Sequence, residues 1–145
     1  MIPCTEFIPA YSELFKFIEK KDGREGVLDY WRYISDTYVK ERLGKLAAEK
    51  GIMGCWEYWE KALNEEAADF TMSVDEAAGT FYIDMCHCPS KGRLLEQSQT
   101  SPYSDYCSHC DVLYRRVLEP LGYAFEYDMT RTDRAACSIK ITKKA

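Results

Sequence analysis

The spacing of apolar residues changes period close to residue 68, and that change sets what this chain can fold into. Before it, apolar positions recur at helical intervals; after it, alternating segments appear, interrupted by one further helical stretch. Tyr11, Leu14, Phe15 and Ile18 repeat at helical spacing behind Pro9, which can open a helix, and Asp22-Gly23 stops it. A longer helix follows, with Val27, Trp31, Ile34, Tyr38 and, after a slip, Leu43, Leu46 and Ala47 on its inner face; Gly51 ends it. A third, from about Cys55 to Asn64, carries Trp56, Trp59 and Leu63.

Phe70, Met72 and Val74 then alternate with polar neighbours, the mark of a half-buried strand. Ala78-Gly79 reads as a turn, and Phe81, Ile83 and Met85 alternate in a second strand that pairs with the first as a hairpin. Residues 89–101 read as a polar connection with one helical turn around Leu94-Leu95. Ser101-Pro102 reads as an N-cap with proline at the first helical position, and the helix behind it carries a stripe of Tyr103, Cys107, Cys110, Tyr114 and Val117. Tyr123, Phe125 and Tyr127 mark a third strand; Cys137, Ile139 and Ile141 mark a fourth. Strands this close in sequence favour antiparallel pairing, so the expected class is α+β: N-terminal helices, then a ββαββ antiparallel sheet covered by helices. The chain reads as one domain over 1–145, helical over about 10–66 and ββαββ over about 67–142.

The formal charge of −5, from 19 basic and 24 acidic residues, comes without a basic stripe, which argues against nucleic acid as a partner. No apolar run is long enough to cross a bilayer, and the first residues lack the basic and apolar regions of a signal peptide. The expectation is a cytoplasmic protein whose partner is a small molecule rather than nucleic acid or membrane.

Seven cysteines, an odd number in a chain of this type, do not suggest a disulfide framework. Cys4 and Cys55 stand alone, whereas Cys86, Cys88, Cys107, Cys110 and Cys137 cluster together with both histidines, His87 and His109. Thiols two apart on a strand share a face, as do thiols three apart on a helix, so C-x-C and C-x-x-C form two pairs able to converge. Four soft sulfurs at that spacing suit zinc or iron, with Cys86, Cys88, Cys107 and Cys110 as the metal ligands and Cys137 and His109 as weaker ones. Nucleophilic chemistry is the alternative, because a thiol near a helix N-terminus feels the positive end of the dipole. His109 lies about 100° around the helix from Cys110 and is expected to be a poor base for it, leaving His87 or a nearby carboxylate. Packing of Cys107, Cys110 and Cys137 as small apolar residues competes with both readings.

The strand ending at Cys86, the helix start with Cys110-Asp111, and the segment from Met129 to Ile141 through Cys137 together resemble the L-2-amino-thiazoline-4-carboxylic acid hydrolase family over roughly residues 20–141. The chain departs from that pattern at Asp133-Arg134, where members commonly carry glycine, and in having Cys88 and Cys107. The resemblance implies a hydrolase that opens a C–N bond of a small heterocycle, a cyclic amidine or thiazoline. The matching residues are Cys86, Cys110, Asp111 and Cys137; on that basis attack is expected from Cys86 or Cys110, or from a metal-bound hydroxide, and proton transfer from Asp111 or His87. Arg131 or Arg134 would anchor a carboxylate, with Tyr114 among the substrate contacts. The same order of elements loosely resembles the small-ligand-binding domain of vinyl reductase accessory proteins, which implies a sensor or accessory module with structural cysteines. A non-hydrolytic enzyme such as an isomerase fits the scaffold as well.

Overall fold

A computed structural model describes residues 4–65 and 68–145, with the side chains of 4, 5 and 65 outside that description. The boundary between the two halves, at residues 66 and 67, and the isolated Cys4 thiol therefore lie outside the described parts. Helix α1 runs from Cys4 to Ile34, so Pro9 sits within it rather than at its start. Gly23, at φ 74° and ψ −177°, breaks the helical path, and the chain resumes a helix at once instead of stopping. Glycine suits that position because the left-handed side of φ carries no Cβ penalty there.

After α1 the chain winds as a π-helix over Ser35–Gly44 and returns to α geometry in α2, Lys45–Lys50. This explains the slip in the apolar pattern. Apart from Gly44, the buried residues from 27 to 47 are Val27, Trp31, Ser35, Val39, Leu43 and Ala47, at an interval of four. An α-helix at about 3.6 residues per turn rotates such a series steadily around its axis. The wider π turn, bonded i→i+5, rotates it back. Tyr38, expected inside, is therefore exposed and Val39 takes its place. Ser35 is fully buried, and its hydroxyl donates to the Leu113 carbonyl at 2.8 Å.

Helix α3, Ile52–Glu65, lies under a four-stranded antiparallel sheet of β1 (Asp69–Asp75), β2 (Thr80–His87), β3 (Tyr123–Asp128) and β4 (Cys137–Lys143). The spatial order is β1-β2-β4-β3, with Ile83 opposite Ile139 and Phe125 opposite Ile141. This is the expected α+β arrangement. Between the hairpin and the last two strands come α4, Pro89–Glu96, and α5, Ser108–Leu118. Pro89 opens α4 at its first position rather than breaking the chain, because the N–H that proline lacks is one the first turn of a helix leaves unpaired anyway. The helix expected from Ser101-Pro102 begins only at Ser108. Residues 103–107 instead form tight turns, with Tyr106 N–H donating to Tyr103 O at 3.0 Å and Ser108 N–H to Asp105 O at 3.2 Å. Tertiary contacts override the cap signal: the Tyr103 N–H is taken by the buried Ser12 hydroxyl at 2.8 Å, and Arg24 pairs with Asp105.

Two buried clusters result. One fills the space between α3, α5 and the sheet, around Leu43, Cys55, Trp59, Phe81, Leu118 and Ile141. The other joins α1 to the segment before α5, around Phe15, Trp31, Leu94, Tyr103 and Tyr106. The sheet's opposite face carries Tyr82, Asp84, Cys86 and Lys140 and is open.

Candidate active site

A cavity of about 220 Å³ lies at the seam between the two clusters. Trp59 and Leu63 of α3, Met85 of β2, Tyr114 of α5, Tyr127 of β3 and Ile139 of β4 supply its apolar walls. Cys88, Cys107, Cys110 and Cys137 all line it, together with His109. These five come from four separate places: the N-cap of α4, the N-cap and first turn of α5, and the start of β4.

Cys86 does not join them. Strand β2 ends at His87, and Cys86 lies exposed on the open face of the sheet. Cys88 has already left the strand, with φ −69° and ψ 124° as the N-cap of α4. The rule that thiols two apart share a face fails here because the second has left the strand. Its sulfur accepts from the Lys91 N–H at 3.4 Å, and its own N–H donates to Ala135 O at 2.7 Å. That places Cys88 on the inner side, where it lines the same cavity as Cys107 and Cys110 of α5.

His109 and Cys110 form a pair that helix geometry alone argued against. The imidazole folds back along its own turn, where Nδ1 meets the Tyr106 carbonyl, and Nε2 then stands 3.5 Å from Cys110 Sγ. A carbonyl only accepts, so Nδ1 carries the proton and Nε2 is left as an acceptor for the thiol. The ring is enclosed by Tyr11, Phe15, Trp31 and Tyr106, with centroids 4.8–6.3 Å away. Burial pushes its pKa down to about 4, so it is neutral at pH 7. Burial likewise pushes the thiols up: Cys107 to about 11, Cys137 to about 12, Cys110 well above its ordinary value and Cys88 in the same direction. Mutual repulsion among prospective thiolates adds to this for all but Cys88. The pair at rest is therefore a neutral thiol on a neutral imidazole.

The other expected site residues lie elsewhere. Asp111 accepts two hydrogen bonds from Arg115, at 2.6 and 3.1 Å, and is outside the cavity lining. His87 packs on Gly92, where an added Cβ would come within 2.4 Å of its ring, and its Nε2 is 3.4 Å from Glu96. Arg131 is held by Asp84 at 2.6 Å, and Arg134 is exposed on the loop before β4. Tyr114 does line the cavity, edge-on to Trp59 with centroids 4.9 Å apart. Among the described residues no three His, Cys, Asp or Glu side chains are gathered so that they could hold a metal ion. Cys86 is on the far side of the sheet, His109 Nδ1 is committed to a carbonyl, and no carboxylate lines the cavity. The zinc or iron site drawn from Cys86, Cys88, Cys107 and Cys110 does not fit this geometry.

Sequence reading missed the Ser90 hydroxyl, which lies 2.6 Å from the Tyr106 hydroxyl at the cavity wall, as well as Lys91 and Ala135. Nothing in the spacing marked them, since all three sit in segments read as irregular. Tyr127 could have been found, because its alternation with Phe125 already turned it inward. No described helix is long and apolar enough to cross a membrane. Comparison with known proteins returns no relative: no family model, no curated protein and no solved structure matches the chain.

Proposed function

We propose that this protein is a small-molecule hydrolase that opens a C–N bond of a heterocycle of the cyclic amidine or thiazoline type, with Cys110 as nucleophile and His109 as base. One observation carries the reading: a thiol within reach of an imidazole whose far nitrogen is fixed by a third group, inside a cavity of small-molecule size. The Cys110 sulfur adds to the sp² carbon of the ring while its proton passes to His109 Nε2. The imidazolium so formed is a strong acid in this environment, since burial disfavours its charge. It hands the proton to the ring nitrogen as the C–N bond breaks, leaving the carbon on sulfur. Water, with Nε2 again accepting a proton, then releases that carbon and restores the thiol. Tyr114 and Tyr127, kept protonated by burial, are donors for charge that develops on the leaving nitrogen.

The experiment is turnover of a panel of thiazolines and cyclic amidines by the wild type, Cys110→Ser and His109→Gln. Loss of at least about a hundredfold in both variants is expected, the size of a general-base contribution. Wild-type rates in both would end the reading. A second reading, a ligand-holding sensor or accessory module, is favoured by the four thiols being held protonated rather than activated. It predicts stoichiometric binding of the same panel without turnover in any form of the protein.

A further inference from the structure

The cavity walls are aromatic rings, aliphatic groups, neutral thiols and a few hydroxyls, and among the described lining residues Lys91 is the only one with a permanently charged side chain. No carboxylate among the described lining residues competes for that lysine. Lys16, Lys45 and Lys50 each reach a carboxylate at 2.6 Å, whereas Lys91 forms no ion pair among the described residues. Its backbone is fixed on the first turn of α4, with its N–H on the Cys88 sulfur. The Lys91 ammonium is close enough to favour the thiolates of both Cys88 and Cys107 against burial. It therefore stands on the α4 side of the cavity, whereas Cys110 and His109 lie on the α5 side.

We propose that Lys91 is the residue that positions substrate, by holding an anionic group at one end of the molecule so that the ring reaches Cys110. A single ammonium among neutral groups favours a ligand with one negative charge over its neutral analogue, because no other described lining side chain carries a permanent charge to pair with it. Arg131 and Arg134 do not serve this purpose, since the first is tied to Asp84 on the open face and neither lines the cavity. The assignment rests on the cavity being the substrate site, as proposed above.

The probes are two aromatic analogues that resist ring opening, 2-aminothiazole-4-carboxylate and neutral 2-aminothiazole, titrated calorimetrically into the full-length wild type, Lys91→Gln, Lys91→Arg and Cys110→Ser. The carboxylate is expected to bind about tenfold or more tightly than the neutral compound, the range of one charge-assisted hydrogen bond. That advantage should vanish in Lys91→Gln while the neutral compound's affinity stays the same, and it should survive in Lys91→Arg and Cys110→Ser. Equal affinities in the wild type, an advantage that outlives Lys91→Gln, or binding of neither probe would overturn the assignment. If the advantage follows Lys91 but the wild type hydrolyses no thiazoline, the hydrolase reading fails and the Lys91 assignment stands.

Discussion

The backbone N–H of Cys88 donates to the carbonyl of Ala135 at 2.7 Å, and this bond joins the two segments that close one side of the cavity. Ala135 is the only described non-glycine residue with positive φ, at 58°. Left-handed geometry in a residue with a Cβ is strained, and it is tolerated here because the short turn Thr132–Arg134 must reverse before β4. Ala135→Val should destabilise the protein by on the order of 2 kcal/mol, since a β-branched residue fits that region poorly. Ala135→Gly should leave stability within about 1 kcal/mol of the wild type. Urea unfolding of the two variants measures both, and equal midpoints would show that the turn relaxes to another geometry.

The thiols should separate by reactivity. Cys86 is exposed, while Cys88, Cys107, Cys110 and Cys137 are partly buried around the cavity and Cys55 is fully buried in the core. A short pulse of iodoacetamide at pH 7, followed by residue-resolved mass spectrometry, should modify Cys86 first. The cavity thiols should follow slowly, because burial keeps them protonated, and Cys55, pushed up to about 12, should label only on unfolding. Labelling of Cys107 should keep accelerating as pH is raised past 9, consistent with its elevated pKa of about 11. A cavity thiol that outpaces Cys86 at pH 7 would contradict this order.

Much of the architecture was legible because burial on one face imposes a period. The alternation of Phe81, Ile83 and Met85 and of Phe125 and Tyr127 gave strands that the sheet contains, and the stripe from Tyr103 to Val117 does face inward. The π-helical turn was visible only as a slip, since residue spacing records a change in winding without naming it. Of the five clustered cysteines, four line one cavity and Cys86 does not. Cys86 and Cys88 separate because a proline-opened helix begins between strand and cavity, an event that a two-residue interval does not encode. The His109–Cys110 pair was hidden because it depends on the imidazole turning back to the Tyr106 carbonyl, a tertiary choice of rotamer.

Gly54 is a point where the fold depends on the lack of a side chain. A Cβ there would lie 2.0 Å from the Leu46 carbonyl oxygen and 2.4 Å from its carbonyl carbon. These are backbone atoms that a rotamer change cannot clear. The turn at Gly51 brings α3 back against α2 this closely, with Gly54 N–H donating to Gly51 O at 3.0 Å. Gly54→Ala, which would favour the helix by propensity alone, should instead cost about 3 kcal/mol through overpacking. A chemical denaturation midpoint at or above the wild-type value would show that α2 and α3 part without penalty.

His109 should make the protein lose stability on mild acidification. Its pKa is about 4 in the folded chain against an ordinary 6.5. Between those values the unfolded chain binds a proton that the folded chain refuses, so stability falls as pH drops from about 6.5 to about 4 and this residue adds nothing further below that. The lost stability is on the order of 3 kcal/mol. The groups against the ring are Tyr11, Phe15, Trp31, Tyr106 and Cys110, whose hydroxyls and thiol stay neutral through that window. The wild type and His109→Gln share every other titrating group, so the difference between their stability curves isolates this histidine. That difference should tilt against the wild type below pH 6.5, and parallel curves from pH 7 to 4 would mean that His109 takes up a proton in the fold as readily as in the open chain. The same depressed pKa leaves Nε2 unprotonated well below pH 6.5, so the turnover proposed here should lack the fall at that pH which an ordinary catalytic histidine imposes.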